Sequence, residues 1–89
     1  MDENIHYESV RFYIVESAKI KKQLTLYQTE YFPEKVRELI TSYKFTISKA
    51  IEHGKLYLDN NDGDEYKIEK VRDIIARYKQ LLDSFKKDE

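Results

Sequence analysis

An all-α fold, an elongated antiparallel three-helix bundle running up-down-up with heptad-like packing, is predicted by three features of this 89-residue chain. Apolar residues recur at alternating spacings of three and four along three long segments, which places them on one stripe of a helix. No segment shows the strict apolar-polar alternation of a half-buried strand. Two glycines and one proline punctuate the whole chain, so turns are few and the elements between them are long.

Helix 1 is expected over about 4–30, because His6, Val10, Tyr13, Ser17, Ile20, Leu24, Tyr27 and Tyr31 share one face. At 1.5 Å per residue it would be roughly 40 Å long, so the molecule should be a rod. Pro33 ends it: the residue before a proline avoids the helical region, while proline's fixed φ suits the first position of a new helix. Helix 2 is expected over about 33–59, with Val36, Leu39, Ile40, Tyr43, Ile47, Ala50 and Ile51 forming its stripe. Gly54 admits two readings, a left-handed residue past a helix end or a point of close backbone approach. It falls on the stripe of helix 2 and Leu58 returns to that stripe one turn later, which favours continuation.

The segment Asp59-Asn60-Asn61-Asp62-Gly63-Asp64 is a loop by composition. Asp62 followed by Glu65 resembles a capping box with Asp in place of Ser or Thr. Helix 3 then runs over about 64–86 on the row Ile68, Val71, Ile75, Tyr78, Leu82 and Phe85. Three long helices with short connections must pack as antiparallel neighbours, giving a single helical domain over 1–89. A domain this small buries only a little over ~60% of the surface its unfolded chain exposes, so its core is marginal.

Composition narrows the function classes. Sixteen basic residues against seventeen acidic ones leave a net charge of −1, so no global field draws the chain to nucleic acid or anionic lipid. There is no cysteine, hence neither a disulfide framework nor a thiolate metal site. The apolar runs are too short for a membrane span, and a cytoplasmic protein is expected. No Ser-His-Asp or Cys-His arrangement and no Gly-rich phosphate loop can be proposed, so an enzyme is not expected.

The metal readings fare little better. Asn60, Asp62, Gly63 and Glu69 match four positions of a calcium-binding helix-loop-helix, yet Leu58 stands where the leading carboxylate belongs. These residues are read as turn and cap. The pair Glu34 and Glu38 lies opposite the Val36 and Ile40 stripe and should face solvent. Neither His6 nor His53 has another histidine or a cysteine one turn away, so no histidine site is expected and His53 is read as an ordinary surface residue. No metal or other cofactor is implied, and a divalent-metal-binding protein stands as the last alternative.

Apolar residues on the wrong faces point to a partner. Phe12, Val15 and Leu26, with Ile5 before them, lie roughly opposite the Tyr13, Ile20 and Leu24 stripe of helix 1. Phe45 lies nearly opposite Val36, Tyr43 and Ile47, and Leu56 joins it three turns later. Exposed apolar rows on a soluble chain usually mark association. Phe12, Val15, Leu26, Phe45 and Leu56 are therefore the candidate contact residues of a small interaction module, expected to be a homodimer. The alternative is a nucleic-acid-associated regulator using Arg11, Lys19 and Lys22, with Tyr7 and Tyr27 as stacking surfaces.

Overall fold

The structure is a computed structural model that describes residues 3–29, 32–60 and 64–87. It contains three helices, α1 (Glu3–Thr29), α2 (Pro33–Asn60) and α3 (Glu65–Lys87), with no strand among the described residues. The molecule is elongated, 46 × 24 × 16 Å, as long helices in so short a chain require. Contacts set the directions: Tyr7 meets Tyr57, and Tyr43 meets Phe85, so α1 is antiparallel to α2 and α2 to α3.

The α1–α2 turn is closed from both sides of Pro33. The Phe32 amide donates back to the Tyr27 carbonyl at 3.3 Å, the long-range bond of a Schellman-type helix end. The ring of Phe32 stands edge-on to Tyr27, 5.8 Å between centroids, supplying the apolar contact that accompanies this motif. The Phe32 carbonyl in turn accepts from the Val36 amide at 2.9 Å, so Pro33 occupies the first helical position, where its missing N–H costs nothing. Tyr31, placed on the first stripe by its spacing, lies outside the described residues.

At the other connection the cap is Asp64. Its carboxylate accepts from the Tyr66 amide at 3.2 Å and its carbonyl accepts from the Ile68 amide at 2.9 Å. The expected cap, Asp62, lies outside the described residues.

The core is built from Tyr7, Val10 and Leu24 of α1, Leu39, Tyr43, Ile47, Ala50, Ile51 and Tyr57 of α2, and Val71 and Ile75 of α3. α2 supplies most of it because both of its flanks are covered, one by each neighbour. Gly54 continues α2 and is buried where side chains of α3 pack closely on it. A Cβ there would stand 3.1 Å from Val71 Cγ1 and 3.1 Å from both Cγ1 and Cδ1 of Ile75.

α1 and α3 meet mainly through side chains, their backbones approaching far less than those of the other two helix pairs. Lys67 places its ammonium 4.8 Å from the centroid of the Tyr7 ring. Farther along, Ser17 and Tyr78 hydroxyls lie 3.1 Å apart. Ser17 has one proton and gives it to the Ile14 carbonyl at 2.8 Å, so Tyr78 donates and Ser17 accepts. The pairing matters because Ser17 is buried. No buried side-chain nitrogen or oxygen is left without a partner among the described residues.

Two stability predictions follow from this packing. Gly54→Ala gains up to about 1 kcal/mol of helix propensity but forces Val71 and Ile75 outward, and overpacking of this kind costs roughly 1–3 kcal/mol. Urea denaturation should therefore show Gly54→Leu, whose side chain exceeds what Val71 and Ile75 can yield, clearly less stable than both wild type and Gly54→Ala; a leucine variant as stable as wild type would contradict the close approach. Burial holds the Tyr43 phenol above its ordinary value of 10.0, and the Tyr78 phenol adds to the rise. The neutral phenol is the form the fold favours, so its contribution is complete below pH 10 and is lost as pH climbs through the raised value. Tyr43→Phe keeps the ring on Phe85 and removes this titration. Denaturant midpoints above pH 10 should fall less for the variant than for wild type, and equal losses would refute the assignment.

Candidate functional site: the outward faces of α1 and α2

All five expected contact residues are exposed. Phe12, Val15, Leu26, Phe45 and Leu56 keep between 40% and 58% of their surface in solvent. Ile5 is exposed as well, at the start of the same α1 row. The reason is geometric: at 100° per residue these α1 positions lie opposite Val10 and Ser17, which point into the bundle.

Along α1 the outward residues follow a seven-residue repeat. Ile5, Phe12, Lys19 and Leu26 occupy one position of it, and Glu8, Val15 and Lys22 occupy another. Ile5 and Phe12 share a shallow depression with Glu8 and Ser9, and Phe12 and Val15 share the next one with Arg11, Glu16 and Lys19. The ring of Phe12 is braced edge-on against Tyr13 at 5.2 Å, so it is presented from a half-buried base. Phe45 and Leu56 border neither depression; on α2, Lys49 lies over the Phe45 ring at 5.6 Å.

Val15 also edges a groove of about 200 Å³ between α1 and α3, lined by Tyr7, Val10, Arg11, Ile14, Lys70 and Ile74.

The basic residues of the alternative reading share this outer side of α1. Arg11 pairs with Glu8 at 3.6 Å and Lys19 with Glu16 at 3.5 Å, each within one turn, while Lys22 is exposed. Carboxylates thus alternate with the cations. Tyr7 is buried against Tyr57 and under Lys67, so it offers no face for a base to stack on. Tyr27 is half-buried against Phe32, with Lys35 above its ring.

Two exposed aromatic residues escaped the periodicity argument. Phe32 precedes Pro33 and borders a depression with Glu34, Lys35 and Glu38. Tyr66 opens α3, with Lys70 over its ring. Both sit at helix starts, where no stripe marks inside from outside.

One expectation about chemistry is corrected. His53 is not an ordinary surface residue: it is half-buried at the α1–α2 interface, with Nδ1 3.2 Å from Nδ1 of His6. One ring donates and the other accepts, so the contact requires at least one neutral imidazole. Tyr13 stacks on the other side of His53, 5.7 Å between centroids and 16° from parallel. The described residues contain no group of three or more histidine, aspartate or glutamate side chains placed to share a metal ion. None of the described helices is long and apolar enough to cross a membrane. In comparisons with known proteins, the chain matches no family model, no curated protein and no solved structure.

Proposed function

We propose that this protein is a non-enzymatic, cytoplasmic interaction module that acts by occupying a protein surface through the outward row of α1, and that its first partner is a second copy of itself. The observation that supports the reading is the row itself: Ile5, Phe12, Val15 and Leu26 exposed on a helix whose opposite face already fills a core. A marginal core gains from such pairing, since association adds burial that one chain cannot supply.

The charges on the row favour one arrangement. Glu8 lies toward its start, and Lys19 and Lys22 toward its end. A second copy laid antiparallel, with each Phe12 facing Val15 of the other copy, brings Glu8 opposite Lys19, because both lie four residues outside the apolar pair. It also sets Ile5 against the aliphatic stem of Lys22, seven residues outside. A parallel pair in register would instead stack Lys19 on Lys19 and Glu8 on Glu8, which is repulsive. Phe45 and Leu56 supply a second, smaller apolar contact on α2.

Sedimentation equilibrium on the wild type, Phe12→Glu and Val15→Glu tests the proposal. The wild type should dimerise and each variant should lower the association constant by at least ~10-fold, as loss of a central anchor does. Glu8→Lys should weaken the dimer and Glu8→Lys with Lys19→Glu should restore it. A wild type that stays monomeric at high micromolar concentration would sink self-association. Binding to nucleic acid that falls steeply with salt would transfer the function to Arg11, Lys19 and Lys22.

A further inference from the structure

The facing imidazoles of His6 and His53 point to a binding site that is independent of the outward row. We infer that they form a two-histidine site for a divalent transition-metal ion of the zinc, copper and nickel class. The two Nδ1 atoms lie 3.2 Å apart, on different helices and 47 positions apart in the chain. A tetrahedral zinc ion with Zn–N bonds of ~2.0–2.1 Å holds its ligand nitrogens about 3.3–3.4 Å from each other. The separation of the rings is thus already that of two ligands on one ion.

Several features pre-organise the pair. Each histidine sits within a long helix, so its Cα is held by helix packing rather than by a loop. The ring planes are only 33° apart, with centroids 5.4 Å from one another. The flat face of Tyr13 against His53 restricts rotation of that ring. Both imidazoles are half-buried, which leaves a solvent side open for water to fill the remaining coordination positions.

Bound metal would take the lone pair of each Nδ1, so both rings would adopt the tautomer with the proton on Nε2. The existing hydrogen bond already requires one Nδ1 to be deprotonated. Where the donor ring is neutral, the change is a transfer of its proton from Nδ1 to Nε2; where that ring is an imidazolium, its Nδ1 proton is released to solvent as the metal binds. Two neutral imidazoles and water select borderline-soft ions over magnesium or calcium, which take oxygen ligands. Because the ligands come from α1 and α2, occupancy would clamp the helical hairpin at its open end, far from the turn at Pro33.

The chain has only these two histidines and no cysteine, so the test is unusually clean. It uses tag-free protein, with zinc chloride and magnesium chloride as probes. Zinc at about 100 times its dissociation constant should raise the melting temperature by roughly 10–20 °C, while magnesium leaves it unchanged. His6→Ala and His53→Ala should each abolish the zinc shift while keeping wild-type helical circular dichroism. If a variant unfolds, His6→Asn or His53→Asn, together with zinc-dependent imidazole shifts in the NMR spectrum of the wild type, gives the same reading. Titration calorimetry should find one zinc per chain. No zinc shift in the wild type, a shift that survives both substitutions, or one zinc per two chains would each overturn the site. None of these outcomes bears on the outward row, which Phe12→Glu probes separately.

Discussion

The seating of α3 on α2 at Gly54 is a constraint that any added side chain would disturb. Without a side chain at that position, Val71 and Ile75 settle directly on the α2 backbone, and the third helix is drawn to the second. Glycine in a helix interior forfeits about 1 kcal/mol of propensity relative to alanine, and the close packing on it acts against that loss. Once α3 leans this way, α2 is covered on two flanks. α1 is left with one close neighbour and a set of side-chain ties to α3. The groove between α1 and α3 lies on the side where the two helices are less closely packed.

The ties that remain are polar or aromatic, and each fixes an angle rather than supplying bulk. Tyr78 can donate to Ser17 only if α3 is rotated and shifted correctly along α1. Lys67 over Tyr7 repeats the demand one end farther on. Satisfied polar contacts at a core edge set register in a way that apolar packing alone does not. The tyrosine-rich composition finds its use here, because phenols contribute apolar area inward while their hydroxyls find a partner at the boundary.

Much of this was legible in the chain before any coordinates. The three-and-four spacing located all three helices to within one or two residues, and Leu58 beyond Gly54 indicated that α2 continues. The outward residues were legible for the same reason, as apolar side chains at angles the core stripe leaves vacant. What stayed hidden depends on how one helix is rotated against another. Tyr57 is among the most buried residues, yet it lies on a line of α2 whose other members include Thr46 and His53, too polar to mark it as a buried row. His6 and His53 are each unremarkable within their own segments. Only the antiparallel alignment of α1 and α2 makes them neighbours, and a local pattern cannot encode that.

The turn at Phe32 and Pro33 has a kinetic meaning too. It joins the two helices that share the longest interface through a connection already closed by backbone bonds to Tyr27 and from Val36. Loops this short close within tens of nanoseconds, and contacts near in sequence are formed before distant ones. With the larger interface of the two hairpins, α1–α2 is the expected folding nucleus, onto which α3 would dock. Damage at the turn should slow the forward reaction, whereas damage where α3 lands should instead hasten its departure.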